Sequence, residues 1–273
     1  MISLDFHLHT HGSFDSKLDV LLAIEKAIKE GLNVVAITDH NNIEIAKKTE
    51  TIVRRRNLPL KVIVGEEIST DVGEIIGLFL KKKIEPNKAE KVIEEIRNQD
   101  GIVYLPHPFK RSSIVRNPEL LEEVDIIEIW NCRTNFEQNY KAVLLSKQYK
   151  KINCCGSDSH FLKELGRCKL ILDSEYPLED LNSQTILELT RKSKFKIVGT
   201  NKNFIFFEFF SQLLKSFKLN TVKPLKNALI YISLENILGR TRTFNCEIAG
   251  KGENLMEINI YPESIEKHEK NEK

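Results

Sequence analysis

Apolar runs of strand length alternate along this chain with stretches in which apolar positions recur at helical spacing. Residues 1–6 alternate apolar and polar, as a strand entering the protein does. If that strand continues to His9, the side chains of His7 and His9 project to the same side. Residues 18–30 have helical spacing and stop at Gly31, and residues 33–38 form a nearly all-apolar strand ending in Asp39 and His40. A helix over 43–56 leads to a strand at 61–65 that ends in Glu66 and Glu67, and residues 73–80 read as an extra strand hairpinned to it. Pro86 is placed as the first residue of a helix running through Ile96 to Gly101. The next strand, 102–106, delivers His107. After a short helix begun by Pro118, the strand 125–130 delivers Asn131. A helix over 136–150 precedes the strand 152–155, which runs into Gly156, Asp158 and His160. The pattern then weakens, with strands at 168–172 and 195–198 around a helix at 178–192.

Repeated strand-then-helix units call for a parallel sheet with right-handed crossovers. Seven or so units in the first 198 residues suit a closed barrel of the α/β class better than an open sheet. His7, His9, His40, Glu67, His107, Asp158 and His160 all fall at the carboxyl ends of predicted strands, the face on which barrel enzymes build their sites. From Thr200 the signal changes. Residues 204–217 are heavily aromatic but interrupted by Glu208 and Lys215, and the stretch is too short to cross a bilayer. It is expected to pack as an amphipathic segment against the barrel or a partner. Stretches 227–238 and 244–260 supply a helix and strands. The division is therefore a barrel at 1–198, a small C-terminal appendage at 199–262, and a charged tail at 263–273 expected to be disordered.

Charge adds little to this picture. The 41 basic and 39 acidic residues leave a formal charge of +2, so nothing favours wrapping a long nucleic acid. Five cysteines without disulfide-scaffold spacing fit a reduced compartment, with Cys154 and Cys155 as buried strand residues. The chain opens without a secretory signal and reads as cytoplasmic, with no membrane partner.

The candidate chemistry is metal binding. Collected by strand end, the ligands are His7, His9, Asp15, His40, Glu67, His107, Asp158 and His160, with Glu66 as runner-up to Glu67. That is more than one ion takes, and it suggests two or three divalent ions (manganese, zinc or iron) sharing carboxylates. Such sites hydrolyse phosphate esters by attack of a metal-bridging hydroxide.

In order along the chain, His7-Leu-His9-Thr-His-Gly-Ser-Phe-Asp15, Ile37-Thr-Asp39-His40, Gly65-Glu-Glu67-Ile-Ser-Thr, His107-Pro108 and Gly156-Ser-Asp158-Ser-His160 resemble the successive motifs of the PHP (polymerase and histidinol phosphatase) superfamily. The resemblance covers roughly residues 2 to 175 and implies a distorted (β/α)7 barrel. It implies a first metal on His7 and His9, a bridging Glu67, a second metal on His107, Asp158 completing the cluster, and a third metal on Asp15, His40 and His160. Asn131 departs from the pattern, standing where many three-metal members have a histidine.

Asp39 is expected to orient a neighbour, and His11 to be an exposed loop residue. Lys110, Arg111 and Arg133 follow ligand-bearing strand ends and are candidates to grip a phosphate. The function expected is a metal-dependent phosphoesterase acting on a phosphate monoester or small nucleotide. A 5'-3' exonuclease trimming short oligonucleotides, a histidinol phosphate phosphatase, and a metal-holding scaffold module are the alternatives. The partners expected are a small phosphorylated substrate or short oligonucleotide, and the aromatic stretch could support a homo-oligomer.

Overall fold

The computed structural model describes residues 1–202, 204–237 and 242–263. The apolar runs become strands β1 (Ile2–Leu8), β2 (Val34–Ile37), β3 (Lys61–Thr70), β4 (Gly73–Leu78), β5 (Ile102–Leu105), β6 (Ile126–Asn131) and β7 (Ile152–Gly156). β1, β2 and β3 are parallel neighbours, as are β5, β6 and β7. The reversed β4 stands between the two sets, antiparallel to β3 and to β5, which is the expected hairpin. Helices α1 (Val20–Lys29), α2 (Glu44–Arg55), α3 (Ala89–Arg97), α4 (Pro118–Glu123) and α5 (Phe136–Tyr149) supply the crossovers. Asp19 caps α1 by accepting from the backbone N–H groups of Leu21 and Leu22, at 2.9 and 3.1 Å. Pro118 is the first residue of α4, as its fixed φ favours. Pro86 is not the start of α3: that helix begins at Ala89, whose N–H donates to Asp71 Oδ1 at 3.0 Å.

The second half departs from the expected parallel pattern. β8 (Cys168–Leu172), helix α6 (Ser183–Lys192) and β9 (Lys194–Thr200) do not add further parallel units. β8 runs antiparallel to the start of β1, and β9 antiparallel to β8. Helices α7 (Phe204–Lys218) and α8 (Lys223–Ile237) follow, and then β10 (Phe244–Lys251) and β11 (Asn254–Pro262) extend the sheet from β9, both antiparallel. The result is one curled sheet of eleven strands in the order β11-β10-β9-β8-β1-β2-β3-β4-β5-β6-β7. The expected helix at 227–238 lies inside α8 except for Leu238, which falls outside the described residues, as does the tail from 264 to 273.

The curl brings β7 back to β1 at their carboxyl ends. Asp158 N–H donates to His7 O at 2.7 Å and His9 N–H to Ser159 O at 2.8 Å, while β8 occupies the other half of the same β1 edge. Strands β2, β5, β6 and β7 are buried throughout, which explains their apolar sequences, broken only by Glu128 and Asn131 in β6 and Asn153 in β7. Cys154 and Cys155 are buried, and all five cysteines are free thiols. No helix among the described residues is long and apolar enough to cross a membrane.

Packing under the sheet is close at Gly199 of β9. A Cβ there would lie 2.6 Å from both Cδ1 and Nε1 of the fully buried Trp130. Gly199→Ala is therefore expected to destabilise the fold by about 1–3 kcal/mol through overpacking. Urea denaturation measures this, and an unchanged midpoint would contradict the contact.

Candidate active site

Buried polar side chains collect at the end of the curled sheet where the parallel strands terminate. His7, His9, Glu67 and Asp158 are at most 4% exposed, in a sequence context that would otherwise form core. Their ligating atoms crowd together. His7 Nε2 lies 3.1 Å from His9 Nε2, and His9 Nε2 lies 3.2 Å from Glu67 Oε2 and 3.4 Å from Asp158 Oδ1. His107 Nε2 is 3.1 Å from Glu67 Oε1, and His40 Nδ1 is 3.0 Å from Glu67 Oε2. Asp15 spans the remaining pair, 3.4 Å from His40 Nε2 and 3.3 Å from His160 Nε2. All eight side chains singled out as candidate ligands are thus brought to one place. Glu66 is not: it points to the opposite side of β3, accepts from Ile84 N–H at 2.9 Å, and is pushed up to about 7 by burial. His11 is exposed.

Hydrogen bonds on the outer nitrogens assign the tautomers. His160 Nδ1 lies 2.8 Å from the carbonyl oxygen of Asp158, which can only accept, so Nδ1 carries the proton. Ser13 Oγ donates to Asp39 Oδ1 at 2.7 Å and must therefore accept from His9 Nδ1 at 3.1 Å. His7 Nδ1 donates to Glu128 Oε1 at 3.0 Å. In their neutral forms all three rings turn a bare Nε2 lone pair inward, toward carboxylate oxygens. Lone pairs facing carboxylates repel unless a positive charge stands between them.

The carboxylates accordingly draw positive charge onto the rings nearest them. Burial disfavours charge on His7, but Glu128, Asp158 and Glu67 outweigh it and hold the ring well above its ordinary value. His160 is pushed down to about 4 by burial and the Arg133 charge, so it is neutral. Asp15 Oδ1, Glu67 Oε2 and His107 Nδ1 are buried with no hydrogen-bond partner of acceptable geometry, though imidazole nitrogens lie near both oxygens. Four sets of three side chains, among them His7-Glu67-His107, His9-His40-His160 and His7-His9-Asp158, each offer ligand atoms within 4.8 Å of one another. Inward lone pairs, orphaned carboxylate oxygens and outward-anchored rings are what a divalent cation requires, so the donor set fits the expected metals.

Several supporting residues were not singled out in the sequence. Glu128 accepts from His7 Nδ1, Tyr104 Oη (2.8 Å), His107 N–H (2.7 Å) and Asn131 Nδ2 (3.0 Å), so one buried carboxylate orients two strand ends. An acid inside the apolar run of β6 was the available signal. Gly156 makes room for it, since a Cβ there would lie 2.1 Å from Glu128 Oε1. Asn131 donates to Glu128 and, at 3.3 Å, to Asp158 Oδ2, and it accepts from Arg133 N–H at 2.7 Å. It therefore organises its neighbours. Asp39 accepts from Thr10 N–H and Oγ1 at 2.6 and 2.5 Å, which fixes the loop after β1 and, through Ser13, the ring of His9. Glu74 of β4, 3.7 Å from His40 Nδ1, also joins the cluster and had no sequence signal.

The largest surprise is α7. The expected amphipathic segment packs against the barrel, but its inward face carries polar side chains beside the buried Phe204 and Phe207. Glu208, Ser211 and Gln212 are buried, while Phe206, Phe210 and Phe217 are exposed. Glu208 pairs with Lys110 Nζ at 3.3 Å, with Arg111 Nη2, and with Arg133 Nη2 at 3.7 Å. Arg133 also donates to Ser211 Oγ at 2.8 Å and pairs with Glu164 at 3.3 Å. Lys218 Nζ ties the other end of α7 to the carbonyls of Ser13 and Ser16 at 2.9 and 3.0 Å. Between α7 and the cluster lies a cavity of about 40 Å³ lined by Asp15, His40, Glu67, Lys110, Arg133 and Glu208 among others. The three cations considered as phosphate ligands thus border the metal-type cluster, with Lys110 Nζ 3.9 Å from Asp158 Oδ2.

A family model of the PHP domain matches residues 5–222. The chain belongs to the PHP domain family. An uncharacterized protein of Methanocaldococcus jannaschii is 30% identical over 217 residues, covering 75% of this chain and 85% of its own length. A second uncharacterized protein of that organism is 34% identical over 139 residues, 46% of this chain and 80% of its own. Among solved structures, PsfC from Pseudomonas syringae has a TM-score of 0.56 at 14% identity, over 79% of this chain and 98% of PsfC. A two-domain protein of Bacteroides vulgatus, described as containing a predicted PHP-like metal-dependent phosphoesterase, has a TM-score of 0.50 at 15% identity. The match covers 94% of this PHP domain chain and 66% of that one. At these identities the solved structures speak to the fold.

Glu208 supplies a test of the inner ion pairs. Burial would raise its carboxyl, but Lys110, Arg111 and Arg133 hold it well below the ordinary value of 4.5. The folded state then binds fewer protons than the unfolded one, so this stabilisation is complete above about 4.5 and is lost as pH falls through that range toward the folded value. Glu208→Gln is expected to lose on the order of 3 kcal/mol at neutral pH by leaving buried cations unpaired. The gap to wild type should narrow below about pH 4.5, and urea midpoints at neutral and acid pH would reveal a constant gap if the pairing were misjudged.

Proposed function

We propose that this PHP domain protein is a metal-dependent phosphoesterase that hydrolyses a phosphate monoester or small nucleotide. The observation that carries the reading is the set of imidazoles anchored from behind and turning their Nε2 atoms toward buried carboxylates, with Lys110, Arg111 and Arg133 beside them. On this reading strands β1 to β7 of the curled sheet form a distorted seven-stranded barrel. His7, His9, Asp15, His40, Glu67, His107, Asp158 and His160 would hold two or three divalent cations, manganese, zinc or iron. Bound there, the cations would supply an activated water as nucleophile and offset charge building on the phosphoryl oxygens.

The chain's own groups have separable parts in this scheme. Glu128 and the Asp39–Ser13 pair keep His7 and His9 in the tautomer that faces the cluster. Arg133 and Lys110 are buried, so their charge is little screened and would draw the phosphoryl group into the cavity. Arg111 stands at the rim, where its fork reaches a phosphate oxygen more readily than a fixed ammonium does. Trimming of short oligonucleotides is the second reading, favoured by a larger cleft of about 400 Å³ that opens from the same rim.

Purified protein supplied with manganese should release orthophosphate from some member of a panel of sugar phosphates and nucleotides. His9→Ala should lower both the metal content, read by elemental analysis, and the rate, the latter by about 100-fold or more. Retention of full activity by that variant, or silence on the whole panel, would count against the reading.

A further inference from the structure

The outward stripe of α7 is apolar and free of charge. Phe206, Phe210 and Phe217 are 57%, 38% and 75% exposed, and Leu213 between them is half-buried. The charged groups of the helix are engaged elsewhere. Lys215 Nζ lies 4.2 Å over the ring of Phe14, and Lys218 Nζ donates to the carbonyls of Ser13 and Ser16. Glu208 is buried against Lys110 and Arg133, and Lys202, just before the helix, pairs with Glu263 at 2.6 Å. The outward rings pack on one another, with the centroids of Phe206 and Phe210 4.6 Å apart.

Positions 206, 210, 213 and 217 step along the helix by four, three and four residues. That is the interval of a seam by which one helix packs into another, each side chain seating in a hole between four of the partner's. A helix lying on a lipid surface instead sends its lysines outward to the headgroups, and those of α7 are held by the barrel. The apolar surface also continues beyond α7. α8 packs against it, with Leu225 N–H donating to Ser216 Oγ at 3.1 Å. Leu219 and Val222 in the turn, and Leu229 and Ile230 on α8, are at least half exposed.

Area decides what this surface can do. With roughly 150–250 Å² for a fully exposed aromatic side chain and somewhat less for an aliphatic one, the exposed parts of these apolar side chains amount to about 700 Å². The largest apolar patch on a typical monomer is only about 300–600 Å². Two copies covering each other here would bury about 1,400 Å², within the range of roughly 1,200–2,000 Å² found in stable, specific interfaces.

We propose that the α7–α8 hairpin is a homodimer interface, covered by the same hairpin of a second copy. A two-fold axis makes such a contact self-complementary, because the surface each copy presents is the one it receives. With the axis across α7 the two helices run antiparallel, seam against seam, and the two hairpins form a four-helix arrangement. Dimerisation accounts for a helix that keeps its charged groups on its own barrel while its phenylalanines face away. Because Glu208, Gln212 and Lys215 of the same helix line the metal-type pocket, the contact also braces one wall of the site.

Sedimentation equilibrium of the full chain at micromolar concentrations should give a species of twice 31.5 kDa. Its Tm should rise with protein concentration, as mass action requires. Phe206→Asp/Phe210→Asp/Phe217→Asp should sediment as a monomer with an unchanged circular dichroism spectrum, since none of the three side chains is buried. Phe217→Asp alone, at the most exposed ring, should raise the dimer Kd by at least about tenfold, which tests the face even where the triple variant does not fold. Leu21→Asp/Leu22→Asp, which alters exposed leucines of α1 instead, should remain a dimer. A wild-type monomer throughout the micromolar range, or a Kd unchanged by Phe217→Asp, overturns the assignment. A monomeric wild type that cosediments with phosphatidylserine vesicles overturns it as well, and gives the face to a membrane.

Discussion

Two backbone hydrogen bonds, from Asp158 N–H to His7 O and from His9 N–H to Ser159 O, join segments that lie 150 residues apart along the chain. They form where β7 curls back to β1, and they place two histidines of the first motif against an aspartate and a histidine of the last. Without them His7 and His9 would face solvent at a sheet edge. β8 takes the other half of the β1 edge, so closure is confined to the end at which the side chains collect. Two of the site's side chains stand on strained backbone there: His107 and Asp158, just after β5 and β7, have φ values of 25° and 52°.

Electrostatics then decides which side chains can be buried together. Glu67, Asp158 and Asp15 would not remain ionised in this volume by themselves, because burial raises each of them. The surrounding imidazoles reverse that and hold them well below the ordinary range. The rings are in turn anchored from behind by Glu128, Ser13 and the Asp158 carbonyl. The cluster is consequently stiff on its outer side and unsatisfied on its inner side, which is the asymmetry a cation site needs.

The same force sets the orientation of α7. Hydrophobicity alone would bury more of its phenylalanines than Phe204 and Phe207. Glu208 faces Lys110 and Arg133, both buried, and Arg111 at the rim; burying this counter-charge goes together with leaving Phe206, Phe210 and Phe217 exposed. The helix is held by polar contacts at Arg133, Ser211 and Lys218, so it lies across the mouth of the site and narrows it.

Local pattern was enough for the strands and crossover helices as far as β7, because both-face burial writes unbroken apolar runs and helices write a repeat near 3.6 residues. It was also enough to collect the candidate ligands: all but Asp15, which lies in the loop after β1, sit at or near the carboxyl ends of strands of one direction, and such ends meet on one face. Strand direction beyond β7 was not legible, because an apolar strand reads the same whether its neighbour runs parallel or antiparallel. Glu128 and Glu208 stood out only as single acids in apolar runs, and such an acid has no partner until the fold supplies one. The sequence by itself determined which residues could bind charge. Only the tertiary structure decided that α7 would bury Glu208, Ser211 and Gln212, because that choice depends on cations contributed by loops about 75 to 100 residues earlier, whose place in the fold the local sequence does not record.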